Sequence, residues 1–289
     1  MYNSLVLKFF GAGRDDADRL YVSLGGFPIY VYGIIIACAI LVAFLVGAWL
    51  CKKVGYRDSI AYLILLFAVP IGIVLARAYY IIFDGAGQYK TFLDIINIRN
   101  GGMAIYGGII GGALGIFIVS RIKRCGDFTL TDIVVMVVAL AQAIGRLGNL
   151  ANMEAYGVAT AHHVPPFTVD IHGTPHLATY FLESMMNLIG FGVMLFLFFY
   201  LRRHKRYRWG FTSGFYLVWY GVARMIVEPF RTDSLLIHGS SQMIFNRVSF
   251  VLSIALVALG VLLLVATRMH WTSQENTKCQ KPQAPKTPF

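Results

Sequence analysis

Three arginines lie inside long apolar stretches of this 289-residue sequence: Arg77, Arg146 and Arg224. An arginine at the centre of a membrane helix costs about 2.5–3.5 kcal/mol on insertion scales, so each needs a protein partner or a bound anion. A structural ion pair or hydrogen-bond network could supply the partner in each case. Because all three lie near the outer ends of their segments, and because the guanidinium fork binds phosphate, we expect an anion site suited to a lipid headgroup.

Polar side chains at helical spacing form one face in each of three apolar segments. These side chains are Gln142, Arg146 and Asn149, then Glu183 and Asn187, then Tyr220, Arg224 and Glu228. Residues three or four apart lie on the same side of a helix, so the three faces could converge on one polar cavity. Pro229 disfavours helical geometry at Glu228, which predicts either a plain helix end or a bent acidic corner.

Glycines crowd the start of another apolar segment. Gly101 and Gly102 are candidates for a backbone phosphate nest, because glycine lets N–H groups approach an anion and a helix N-terminus favours negative charge. Further glycines form two ridges at four-residue spacing, one made of Gly107, Gly111 and Gly115 and the other of Gly108 and Gly112. Such ridges are typical of close helix packing, which we expect for Gly111, Gly112 and Gly115.

The composition identifies the elements that must position these residues. Hydrophobic residues make up 57% of the chain and charged residues only 13%, about half the charged fraction of an ordinary soluble domain. This excludes a soluble globular enzyme and a disordered chain. We predict an all-α integral membrane protein with about seven transmembrane helices. The predicted spans are Pro28–Leu50, Ile60–Phe83, Gly102–Ser120, Leu130–Leu150, Leu177–Leu201, Phe211–Val227 and Val248–Thr267.

The distribution of basic residues predicts the orientation. Fifteen Lys and Arg lie in alternate connections and the C-terminal tail, against seven on the opposite side. The positive-inside rule therefore places the N-terminus outside and the C-terminus in the cytoplasm. The formal charge of +11 then reflects topology, and we expect no nucleic-acid partner. The predicted organisation is an external arm over 1–25, able to form an interfacial helix, a seven-helix catalytic domain over 26–270, and a disordered cytoplasmic tail over 271–289.

The motifs resemble those of the prolipoprotein diacylglyceryl transferase family, bacterial inner-membrane enzymes of lipoprotein maturation. Residues 145–157 are similar to its G-R-x-G-N-x-x-N-x-E-x-x-G signature, and residues 220–231 to its Y-G-x-x-R-x-x-x-E-x-x-R. The stretch 101–108 and the Tyr32-Gly33 pair match as well, and the resemblance extends over all seven predicted helices.

The resemblance implies transfer of diacylglyceryl from phosphatidylglycerol to the lipobox cysteine thiol of a preprolipoprotein, with release of glycerol phosphate. It implies a multi-pass protein of the bacterial inner (cytoplasmic) membrane, whose partners are phosphatidylglycerol, membrane lipid and lipobox signal peptides. It implies no metal and no soluble cofactor. Four histidines in the connection 151–176 also match no metal-site spacing. The alternative from another class is a phospholipid or anionic-solute transporter that uses the same arginines.

The residue roles follow from the matched motifs. Arg146 and Arg224 would bind the phosphate, and Glu228 would hold an arginine or transfer a proton. The predicted catalytic residues are Arg146, Arg224, Glu228 and Tyr106. The predicted substrate-binding residues are Asn149, Tyr32, Tyr220, Gly101, Gly102, Gly107, Glu154 and Arg231.

Two positions depart from the family pattern. Many members carry His where this chain has Tyr106, and a tyrosine with a pKa near 10 is a poor base at neutral pH. Either a neighbouring arginine activates Tyr106, or the base lies elsewhere, or no dedicated base is needed; we favour the last two together. The family's H-P-x-x-L-Y-E segment is also altered, to the sequence of residues 176–183, although Glu183 is retained. Reduced activity or a different set of lipoproteins could follow.

Overall fold

All seven predicted apolar segments form helices. The computed structural model describes residues 12–14, 19–24, 27–57, 59–83, 89, 91–96, 101–125, 128–232 and 247–269. The helices in these ranges are α1 Val31–Val54, α2 Ser59–Phe83, α3 Phe92–Ile96, α4 Ile105–Lys123, α5 Thr129–Ala151, α6 Thr179–Arg203, α7 Phe211–Val227 and α8 Val248–Arg268. A 3₁₀ turn, Glu228–Phe230, follows α7. The predicted tail, 271–289, lies outside the described residues.

Six of these helices are long and apolar enough to cross a membrane: α1, α2, α4, α5, α6 and α8. The protein is therefore a multi-pass integral membrane protein whose membrane-spanning elements are α-helices. Helix α7 has 17 residues, slightly fewer than the roughly 20 that cross a hydrocarbon core. The count of seven spans and the orientation of the termini stay predictions.

Two small antiparallel sheets are additions that the sequence reasoning did not predict. Strands β1 Ala12–Arg14, β2 Leu20–Leu24 and β3 Phe27–Tyr30 form a three-stranded sheet. The described part of the N-terminal arm is thus extended, and the suggestion of an interfacial helix is wrong there. Strands β4 Thr168–Ile171 and β5 Thr174–Leu177 form a hairpin, whose turn is closed by a hydrogen bond from the Gly173 N–H to Asp170 Oδ1.

The described residues divide into two compact units: the first holds those up to 43 and from 134 onward, and the second those from 44 to 133. In the second unit, α2 and α4 pack through glycine. A Cβ on Gly111 would lie 2.6 Å from the Cα of Gly72, and one on Gly115 would lie 2.5 Å from the Cα of Ala68. Gly107 packs in the same way against the backbone at Leu75. The packing prediction is confirmed for Gly111 and Gly115.

The contact at Gly112 is looser: a Cβ there would meet no atom within 4 Å, although a Cβ on Gly72 would lie 3.8 Å from the Gly112 N. Gly112 thus lies beside α2, but the packing there does not require glycine. In the first unit, α7 and α8 approach through Gly221 and Gly260, where added Cβ atoms would lie 2.8 Å from Ser253 O and 2.7 Å from Gly214 O.

Candidate active site

The three polar faces predicted from the sequence meet at one carboxylate, Glu183, near the start of α6. Its Oε2 lies 2.6 Å from Nε of Arg146 on α5. Its Oε1 pairs with Nη1 of Arg224 on α7 and lies 3.2 Å from Nη1 of Arg231. Glu183 is 6% exposed, so these ion pairs form in poorly solvated surroundings, where attraction between opposite charges is strong. We refer to Arg146, Glu183, Arg224, Glu228, Arg231 and Arg247 as the arginine cluster.

The second acid of the cluster is Glu228, in the turn that follows α7. Its side chain is fully buried, and its Oε2 lies 3.1 Å from Nη2 of Arg224. The backbone at Glu228 keeps right-handed helical dihedrals (φ −52°, ψ −39°) despite the following proline, and α7 gives way there to a 3₁₀ turn. The plain helix end describes the structure, because α7 stops at Val227, and the expectation that Pro229 moves Glu228 out of helical geometry is wrong.

Arg247 joins the cluster from the beginning of α8; in the sequence analysis it is one of the seven basic residues predicted on the outer side, with no role in the site. Its Nη1 donates to the main-chain oxygen of Glu228 and lies 3.4 Å from that of Arg231. Arg247 is 9% exposed. An arginine in a polar stretch carries no sequence signal of burial, which explains why this contact was missed.

Among the described residues, the cluster contains four guanidinium groups and two carboxylates. Arg146 is the most accessible of the three arginines on Glu183, with a side chain 24% exposed against 13% for Arg224 and 9% for Arg231. Its ion pair uses Nε, so the outer Nη edge of the guanidinium stays available to an anion. The cluster can therefore bind a negatively charged group such as a phosphate.

Tyr32 on α1 and the signature after Arg146 lie together in the same unit. The ring of Tyr32 lies so close to Gly148 that a Cβ there would be 2.9 Å from its Cδ2. Glu154 is exposed and accepts a hydrogen bond from Nδ2 of Asn152 over 3.2 Å. Asn149 is 9% exposed and its carbonyl accepts from the Glu154 N–H.

The connection after α5 is tied to the cluster by main-chain contacts. Gly157 forms an antiparallel bridge with Arg231, and the Val158 N–H donates to Phe230 O over 3.0 Å. A Cβ on Gly157 would lie 2.6 Å from Phe230 O, so only glycine fits this close approach. His176 is half-buried and its Nδ1 lies 2.9 Å from Gly157 O. This connection fixes the segment that carries Glu228 and Arg231.

Tyr220, one turn before Arg224, stacks on Tyr216 with ring centroids 5.8 Å apart and an interplanar angle of 21°. Tyr216 in turn donates a hydrogen bond to Oε1 of Gln142 over 3.0 Å. The predicted faces of α5 and α7 are thus joined at two levels, by charge at the arginines and by this neutral contact deeper in the helices.

The remaining predicted residues lie in the second unit. Tyr106 is half-buried in the first turn of α4, with its ring 6.0 Å from that of Tyr79. Gly101 and Gly102 adopt left-handed φ values of +83° and +77°. Their carbonyls accept hydrogen bonds from Arg77. Gly107 lies at the contact with α2, which gives it a packing role, and its predicted substrate contact is a separate hypothesis.

Arg77 does not belong to the arginine cluster. Its Nη1 donates to Gly101 O over 2.9 Å and to Gly102 O over 2.8 Å. Its Nε donates to Ile95 O and its Nη2 to Asp94 O, each over 2.8 Å. The expectation that all three intramembrane arginines mark one anion site is corrected for Arg77, whose hydrogen bonds hold the connection before α4.

Together these features define a multi-pass membrane protein with a largely buried arginine cluster built from α5, α6, the end of α7 and the start of α8. No group of three or more His, Cys, Asp or Glu side chains within the described ranges could hold a metal ion. The prolipoprotein diacylglyceryl transferase family model matches residues 19–266. This chain belongs to that family and is therefore a membrane transferase of lipoprotein biosynthesis.

Curated relatives agree with this assignment. The chain is 36% identical over 265 residues to a phosphatidylglycerol–prolipoprotein diacylglyceryl transferase of Bacillus cytotoxicus, covering 87% of this chain and 92% of the relative. It is 36% identical over 268 residues to the enzyme of that name from Listeria monocytogenes, covering 90% and 93%. The Streptococcus uberis enzyme is 37% identical over 259 residues, covering 87% and 95%.

Proposed function

We propose that this protein transfers the diacylglyceryl group of phosphatidylglycerol to the lipobox cysteine thiol of preprolipoproteins in the bacterial inner membrane. The observation that carries the proposal is the arginine cluster, in which the part-exposed guanidinium of Arg146 is available to a phosphodiester. Family membership supports the same reaction over the transporter alternative. The protein substrate supplies the sulfur nucleophile and the lipid supplies the glyceryl carbon, so the chain itself must bind and polarise the phosphate.

The reaction is a displacement at carbon. The cysteine sulfur forms a C–S bond to the glyceryl carbon that carries the phosphate, and the C–O bond to the phosphate breaks. The electron pair of that bond passes to the phosphate oxygen, which leaves as glycerol phosphate and gains a negative charge. Arg146 and Arg224 are placed to stabilise this growing charge, because preorganised donors in poorly solvated sites lower barriers most where charge develops.

Glu183 makes that preorganisation possible. Three guanidiniums around one point repel each other, and the Glu183 carboxylate offsets this repulsion while fixing where each fork points. Glu228 holds Arg224 from the other side. Both glutamates therefore position the arginine side chains. Arg231 and Arg247 add to the positive electrostatic potential around them.

The thiol proton needs no dedicated side-chain base in this scheme. The cysteine pKa is ordinarily near 8.5, so a minor thiolate fraction exists at neutral pH, and a positive field increases that fraction. The proton passes to solvent or to the leaving phosphate.

The lipid is oriented beside the arginines by Asn149, Tyr32, Tyr220 and Glu154. The family motif implies that Gly101, Gly102 and Gly107 also contact the substrate.

The product assay tests the proposal directly. Purified full-length protein, phosphatidylglycerol and a lipobox peptide should yield peptide heavier by one diacylglyceryl group, together with one equivalent of glycerol phosphate. A matched peptide with Ser in place of the lipobox Cys should yield neither. Well-folded protein that forms no thioether product would contradict the proposal.

A further inference from the structure

A hydrogen-bonded pair of uncharged side chains, Gln142 and Tyr216, lies on the helix faces that carry the arginine cluster. The Tyr216 hydroxyl donates to Gln142 Oε1 over 3.0 Å. Gln142 precedes Arg146 by four residues on α5, and Tyr216 precedes Arg224 by eight residues on α7. The pair therefore continues the same stripes, displaced from the arginines toward the N-terminal ends of both helices.

The displacement matches the anatomy of a phospholipid. Four helical residues advance about 6 Å along the axis. The headgroup region on each side of a bilayer is about 5–8 Å thick, from the difference between the full bilayer and its hydrocarbon core. Acyl ester groups lie at the inner boundary of this region. A lipid whose phosphate contacts Arg146 and Arg224 thus brings an ester carbonyl to the level of Gln142.

The hydrogen-bonding groups of Gln142 suit such a carbonyl. Its amide oxygen accepts from Tyr216, which leaves the two N–H donors of the amide for another acceptor. In the part of the chain that the structure describes, no protein acceptor for these donors is seen. Tyr216 is itself held by its stack on Tyr220, so the orientation of the Gln142 amide is fixed. A poorly solvated amide donor gains free energy when it meets an acceptor.

We propose that Gln142, positioned by Tyr216, binds an acyl ester carbonyl of the lipid donor and makes the enzyme prefer diester over diether phosphatidylglycerol. The subsite rests on the proposed function, because it takes the phosphate at the arginines as its anchor. One typical net hydrogen bond corresponds to about a three- to tenfold preference. An ether oxygen without a carbonyl cannot provide the same acceptor at that place.

The test compares diester phosphatidylglycerol with its diether analogue, using the full-length protein and a lipobox peptide. The wild type should transfer the diester lipid with about three- to tenfold higher kcat/KM. Gln142→Met should bring the ratio to about one by slowing the diester reaction alone. Tyr216→Phe, which keeps the amide but not its positioning, should give an intermediate ratio.

Ser184→Ala is the matched control. Ser184 Oγ on α6 donates a hydrogen bond to Ala143 O on α5 over 2.6 Å. Because this bond only joins two helices, its loss reports on helix packing alone and should leave the diester-to-diether ratio unchanged. A wild-type ratio near one, or equal slowing of both lipids by Gln142→Met, overturns the subsite and makes the pair a packing contact. If Gln142→Met does not fold, the wild-type and Tyr216→Phe ratios decide. A wild type that forms no thioether from either lipid defeats the proposed function and the subsite together.

Discussion

The two units of this protein each bury arginine in an apolar helix, yet they use it differently. Arg77 in the second unit is 7% exposed, and its guanidinium donates hydrogen bonds to four main-chain carbonyls. Arg146 in the first unit shares one carboxylate with two other arginines and keeps part of its guanidinium exposed. Hydrogen bonds to neutral carbonyls hold a connecting segment in place, whereas an arginine that pairs through Nε and stays part-exposed can still bind an anion. The partners of a buried arginine, and not its burial, indicate its function.

The largest effect on activity should come from substitutions in the arginine cluster of the first unit. Arg146→Ala and Arg224→Ala should each lower kcat/KM by a factor of about 100–1,000 or more, since each removes a donor that faces developing charge. Diacylglyceryl-peptide formation measures the loss, and thermal unfolding checks that the variants are folded. Near-normal turnover in either variant would show that the arginine cluster does not stabilise the transition state.

Glu183→Gln should have the next largest effect on activity. The amide keeps the shape but removes the charge that holds three guanidiniums, and breaking a buried ion pair from one side costs about 3–5 kcal/mol. We expect lower turnover and a lower Tm together. Glu154→Gln is the control at an exposed carboxylate and should leave Tm within about 2 °C, because surface changes stay within about 0.5 kcal/mol. An unchanged Tm for Glu183→Gln would show that the carboxylate does not hold the cluster.

Arg77→Ala should separate stability from chemistry. Losing four charge-assisted hydrogen bonds from a buried guanidinium to part-buried carbonyls should lower Tm by about 5 °C or more. We expect kcat of the folded fraction to fall by less than about tenfold, because no phosphate contact is lost. Arg77→Lys is the informative partner, since one ammonium cannot reproduce the fork and should not restore Tm. A large loss of kcat at unchanged Tm would place Arg77 with the arginine cluster.

The smallest effect is expected at Tyr106. If no dedicated base is required, Tyr106→Phe should retain activity within about threefold, because the ring is kept and only a weakly acidic hydroxyl is lost. The same thioether assay, run across pH 6–9, measures it. Abolished turnover, or a pH profile displaced from that of the wild type, would make the hydroxyl part of the proton transfer.

Much of the fold could be read from composition and spacing. Long apolar runs give each helix within a few residues, because a membrane-spanning segment must satisfy its backbone hydrogen bonds internally. The same local geometry placed Arg146 with Gln142 and Arg224 with Tyr220, since 3.6 residues per turn fix which side chains share a face. The strands β1 to β3 and the hairpin of β4 and β5 were missed, because short polar strands give a much weaker sequence pattern than the long apolar helices beside them.

The sequence by itself determined that three arginines lie within apolar helices and which polar residues accompany Arg146 and Arg224 along their own helices. Only the tertiary structure decided that Glu183 joins Arg146, Arg224 and Arg231, that Arg247 closes on Glu228, and that Arg77 binds carbonyls instead. The reason is that an apolar helix can rotate about its axis or shift by one turn, about 5.4 Å, without changing its own pattern. Such a shift exchanges every partner across the helix interface, so contacts between helices are set by packing of the whole bundle.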